Sequence, residues 1–161
     1  MFNVGEKIIY GSNGVCRVEE VCDMEGKTMY KLKPLWSGFT IMVPVDSTKV
    51  FMRPIMTAEE ANAFIDALPA VEVDAIESRV PRELTGYYEG LLSSHEVRDL
   101  AALTKAAYRK KVDLESKHKK LGQVDQRYLK KGEDLLFGEL AAALGIEREE
   151  VLDYITSRLE K

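Results

Sequence analysis

The apolar residues of this chain change their period near Arg53. Upstream they alternate with polar residues, as in Phe39, Ile41, Val43 and Val45. Downstream they return every three or four positions, as in Leu84, Tyr87, Tyr88, Leu91 and Leu92. A period of two buries one face of a strand, and a period near 3.6 buries one stripe of a helix. One regular element cannot satisfy both. The expected fold class is therefore α+β in two domains, with a small bent antiparallel sheet or barrel followed by an all-α domain. The expected boundaries are 1–55 for the β domain, 56–80 for a helix and acidic linker, and 81–161 for the helical domain.

Strands are expected at 7–10, 15–22, 28–35, 39–45 and 48–53. Gly11-Ser12-Asn13-Gly14 tolerates positive φ and marks a turn, and residues 23–27 read as a hairpin loop. Pro44 lacks an N–H, which places the fourth strand at a sheet edge. Thr57 and Glu60 have capping-box spacing and open a first helix, and Ser93 and Glu96 form a second such pair. Pro81 suits a first helical position. Residues 69–80 are acidic and weakly patterned, and 113–122 read as a charged connection. A helix over about 124–144 requires close neighbours at Gly132 and Gly138. Gly145 then stops it.

Several chemistries are excluded by what is missing. No phosphate-binding loop, dinucleotide fingerprint, nucleophile elbow or zincin motif occurs. His95 and His118 each lack a neighbouring nucleophile and orienting acid, and no enzymatic activity, cofactor or metal is expected. Cys16 and Cys22 on one extended strand would lie roughly 20 Å apart, beyond the ~7 Å that a disulfide spans. No apolar run approaches the ~20 residues of a membrane span, and Met1 to Glu6 do not resemble a secretory signal. A cytoplasmic location and no membrane partner are expected.

The net charge of −4 conceals a basic block. Residues 105–131 hold 10 Lys/Arg and 3 Asp/Glu, while 133–161 hold 3 and 8. Arg98, Lys105 and Arg109 share one helical stripe, and Arg127, Lys130 and Lys131 share another. Charge alone divides evenly between a phosphate-contacting patch and an ordinary solvated surface. Only a few phosphate contacts would bind weakly and with steep salt dependence. Such a patch gains force if a second module holds it near DNA. The segment Ile41-Met42-Val43 beside Pro44 could offer that module an edge for strand addition.

Val4-Gly5 with Ile8-Ile9-Tyr10, Gly14-Val15 and Val18, then Ile41-Met42-Val43-Pro44 with Val50 and Arg53, resembles the CarD/CdnL family of bacterial transcription regulators. The same module is similar to the RNA-polymerase-interacting domain of transcription-repair coupling factor. The resemblance continues through Tyr88, Tyr108-Arg109-Lys110, Arg127-Tyr128-Leu129 and Gly138-Glu139-Leu140-Ala141.

The resemblance implies a Tudor-like domain that binds the RNA polymerase β subunit. It also implies a helical domain that contacts promoter DNA at the upstream edge of the bubble and modulates open-complex stability. On that basis the polymerase contact is expected at Met24, Phe39, Ile41, Met42, Val43 and Pro44. The DNA contact is expected at Leu84, Arg109, Lys110, Arg127, Lys130 and Lys131. Leu84 stands where relatives commonly carry a tryptophan wedge, with Tyr87 as the other candidate. A monomer is expected, with a strand-swapped dimer as the variant. The competing reading is a protein-interaction adaptor with no role at DNA.

Overall fold

The computed structural model describes residues 1–73 and 75–160. Asp74 in the expected linker and Lys161 at the end of the expected helical domain lie outside the described residues. The chain groups into two compact units. The first consists of Met1–Ala61 and Gly138–Val151, and the second of Asn62–Phe137 and Leu152–Lys161.

Five strands form one antiparallel sheet: β1 (Lys7–Tyr10), β2 (Val15–Met24), β3 (Lys27–Pro34), β4 (Ile41–Pro44) and β5 (Met52–Pro54). Their order is β4-β3-β2-β1-β5. β4 and β5 are the two edges, so the sheet is open and the barrel alternative does not hold. Each edge strand ends in a proline, the residue that cannot extend the ladder. Alternation buries Ile8, Tyr10, Cys16, Val18, Tyr30, Leu32 and Val43 as one core. Each such large apolar side chain contributes roughly 1.5–3 kcal/mol when fully buried. The register slips between Val18 and Glu20, leaving Glu19 as the extra residue of a bulge. The hairpin between β2 and β3 turns on Glu25 and Gly26, both at positive φ (52° and 79°). That conformation matches the twist of two antiparallel strands and needs only two residues.

The helices are α1 (Ala58–Ala67), α2 (Pro81–Leu92), α3 (Val97–Ser116), α4 (Gln123–Leu144) and α5 (Arg148–Leu159). The Thr57 capping box forms as expected. The Glu60 N–H donates to Thr57 Oγ1 at 3.1 Å, and the Thr57 N–H donates to Glu60 Oε1 at 3.0 Å. The second capping box does not form. Ser93 instead closes α2, its hydroxyl donating to the Gly90 carbonyl, and Glu96 precedes α3 with no side-chain cap. α3 also runs to Ser116, so the expected charged connection shrinks to 117–122. Gly145, at φ 71°, ends α4 by donating its N–H to the Ala141 carbonyl.

In the second unit Leu84, Tyr88, Leu103, Ala107, Leu121, Tyr128 and Leu129 form a core. Gly132 meets Leu103 and Thr104, while Lys110 meets Asp125. Ascending numbers on α3 thus match descending numbers on α4, and the two form an antiparallel helical hairpin. Among the described residues no helix is long and apolar enough to cross a membrane.

Candidate functional site

In the first unit the exposed edge is β4. Its inner side pairs with β3, Ile41 facing Leu32, Met42 facing Lys31, Val43 facing Tyr30 and Pro44 facing Met29. Its outer backbone has no strand partner among the described residues. Alternation sorts the expected contact residues. Val43 is buried and anchors the strand to the core, whereas Met42 is 39% exposed. Ile41 and Pro44 are half-buried. Phe39, 51% exposed, lies in the loop before β4 rather than within the strand.

Met24 is 48% exposed at the hairpin tip, where it faces Lys27 across the ladder. The register puts Met24 and Met42 four β3 residues and two strand spacings apart, roughly 16 Å. They are two points of a broad face, not one cluster. Between the hairpin and residues 44–49 lies a cleft of about 540 Å³ bordered by Lys27, Thr28, Pro44 and Val45.

The opposite edge, β5, is braced from within its own unit. Arg53 grips Glu139 in a bidentate pair, with Nη1 to Oε2 at 2.7 Å and Nη2 to Oε1 at 2.6 Å. The Met56 N–H donates to the same carboxylate at 2.9 Å. Glu139 is 1% exposed, so its charge is tolerated only because three donors surround it. Trp36 lies against Gly138 and carries the Arg148 guanidinium 4.4 Å from its ring. Trp36 is thus held by packing and a cation–π contact.

The second unit separates the expected DNA-contacting residues into two kinds. Leu84 is 4% exposed and belongs to the core, so it does not present the wedge that its position suggested. Amphipathic spacing pulls it inward together with Tyr88, four residues on. The exposed aromatic of α2 is Tyr87.

Lys110 is also turned inward. Its Nζ donates to Asp125 Oδ2 at 2.9 Å and to the Ser78 carbonyl at 2.9 Å. Tyr88 donates to the other oxygen of Asp125 at 2.6 Å. Burial and the Asp125 carboxylate both push the Tyr88 hydroxyl above the usual phenol range. Tyr128 stacks on Tyr88 with centroids 4.8 Å apart and donates to Glu89 at 2.6 Å. Lys105, from the expected basic stripe, instead holds the carbonyls of Leu68, Pro69 and Val71.

Arg109, Arg127 and Lys130 remain exposed, and Lys131 is half-buried. Arg127 lies 5.2 Å from the Tyr128 ring, and Lys130 pairs with Asp134 at 3.1 Å. Tyr108 is exposed beside Arg109. Inward positions on α3 go to Leu103, Ala107 and Lys110, and Tyr108 falls off that stripe. Among the described residues no cluster of His, Cys, Asp and Glu could hold a metal.

No curated protein matches this sequence. Residues 2–56 match the family model of the CarD-like/TRCF RID domain. The matched span covers β1 to β5 and ends just before α1. The chain therefore carries a CarD-like/TRCF RID domain, an RNA-polymerase-interacting module, at residues 2–56.

Proposed function

We propose that this chain is a non-enzymatic, CarD-like transcription regulator. Its β4 edge binds the β subunit of RNA polymerase, and its helical part contacts promoter DNA at the upstream edge of the bubble, changing the lifetime of the open complex. The observation that carries this reading is the RID match over 2–56 together with an open β4 edge bearing exposed Phe39 and Met42. Strand addition would supply main-chain hydrogen bonds along β4, and the flanking apolar side chains would supply selectivity.

On the DNA side the reading rests on Arg109, Arg127, Lys130 and Lys131, whose side chains reach solvent in whole or in part. Lys110 is excluded from this set because Asp125 already neutralises it. Tyr87 replaces Leu84 as the candidate wedge, since an intercalating side chain must project. Glutamate at both Arg109 and Arg127 should shorten the open-complex lifetime while leaving polymerase binding intact. The salt slope of DNA binding should become shallower by about 0.9 for each phosphate that is no longer neutralised. An unchanged lifetime at low salt would count against the DNA role and favour a polymerase-bound adaptor. Failure to bind core polymerase would remove the proposal altogether.

A further inference from the structure

A groove of about 920 Å³ opens in the second unit between residues 75–81, the C-terminal part of α3 and the start of α4. That volume is at the upper end of sites that enclose a small ligand. Its floor is apolar, built from Ile76, Leu84, Leu114 and Val124. Its rim is cationic, carrying Arg79, Lys117, Lys119 and Lys120.

The charges do not cancel. Lys110 is matched by Asp125, and Lys117 by Asp113 at 3.2 Å. Arg79, Lys119 and Lys120 have no carboxylate partner among the described residues, and Glu77 is the one lining carboxylate left without a cation. Gln123 and Val124, the first residues of α4, border the same groove. They add a donor-rich helix end of positive potential.

We propose that this groove docks an acidic peptide segment that bears a bulky apolar side chain. The apolar residue would lie on Leu114 and Val124, and neighbouring carboxylates would meet Lys119, Lys120 and Arg79. A mixed lining decides for a peptide over nucleic acid. The lining holds no aromatic ring on which a base could stack, whereas single-strand sites depend on such platforms. The site uses none of the residues assigned above to phosphate binding, so it stands or falls independently of the DNA role.

The test is an array of twelve-residue peptides, each with one Leu or Phe placed at varied spacing among Glu and Asp, binding to the full chain. Members of the array should bind with Kd on the order of 10–100 μM, weak as befits so small an interface. They should shift the methyl signals of Leu84, Leu114 and Val124. The exposed double variant Lys119→Glu with Lys120→Glu should weaken binding about tenfold or more. Peptides with the apolar residue replaced by Ser should also weaken. The proposal is overturned if no member binds, if the double variant binds as well as the parent, or if a single-stranded oligonucleotide displaces the peptides at lower concentration.

Discussion

At the scale of single residues, two features of α4 look alike in sequence and differ in consequence. A Cβ on Gly132 would lie 2.5 Å from Thr104 Oγ1 and 2.9 Å from Leu103 Cδ2. Both belong to packed side chains on α3, so there is no room to yield. Overpacking costs roughly 1–3 kcal/mol, against a helix-propensity gain of about 1 kcal/mol. Gly132→Ala should therefore destabilise by up to about 2 kcal/mol in urea denaturation. A Cβ on Gly138 would lie 3.0 Å from the Trp36 ring, which is partly exposed and can shift. Gly138→Ala should stay within about 0.5 kcal/mol of the parent because the propensity gain offsets the crowding.

Glu139→Gln would replace a charge-assisted fork on Arg53 and an acceptor for the Met56 N–H. Hydrogen bonds to charged groups are worth about 1.5–3 kcal/mol, and a loss of that size is expected. Stability unaltered by this substitution would show that the pair is not an internal brace. The need for close neighbours at both glycines was legible from their place inside a helix. Glu139 as the partner of Arg53 was not, because nothing local in either stretch names a residue 86 positions away.

Ionisation gives a further residue-scale expectation. Burial raises the Cys16 thiol from 9.0 to about 11. Burial, then Asp125, raises Tyr88; burial, then Glu89, raises Tyr128. Each group keeps its proton in the folded chain after the unfolded chain would lose it. Their contribution is complete below the unfolded values and disappears as pH rises through the folded ones. Stability to urea should thus fall from about pH 9 upward, first through Cys16 and then through the tyrosines. A thiol reagent at neutral pH should label half-buried Cys22 in the folded chain but Cys16 only after unfolding.

At the scale of elements, most of the sheet was written in local pattern. Alternation located the strands, and Pro44 correctly placed β4 at an edge. The openness of the sheet was not legible, because closure depends on which distant strands pair. The bulge at Glu19 left a trace that alternation alone passes over: Glu19 and Glu20 are consecutive exposed residues in the middle of β2. Among the helices, the Thr57 box formed and the Ser93 box did not. Ser93 is one residue past α2, and its hydroxyl is taken by the Gly90 carbonyl. The same competition explains the site residues. Periodicity identifies a face but not its owner, so Lys105 and Lys110 read as surface cations until carbonyls and Asp125 claim them. Asp125→Ala would strand Lys110 and Tyr88 together. A loss of about 2–4 kcal/mol is expected from an uncompensated buried charge and hydroxyl, and Asp125→Asn should recover part of it.

At the scale of the whole chain, the sequence shows two bodies of different character, and function follows from what each can hold. The RID module offers an edge with backbone groups and exposed apolar side chains. The helical unit offers cations with carboxylate partners of their own, such as Lys110, and cations without one among the described residues, such as Lys119 and Lys120. The central claim is that the first body docks on RNA polymerase through β4. Binding of the purified full chain to core RNA polymerase, compared with a Phe39→Ser, Met42→Glu variant of unchanged thermal stability, tests it most directly. The parent should bind, and the variant should bind tenfold or more weakly, about 1.4 kcal/mol. An absence of binding by the parent, or equal binding by both, would contradict it.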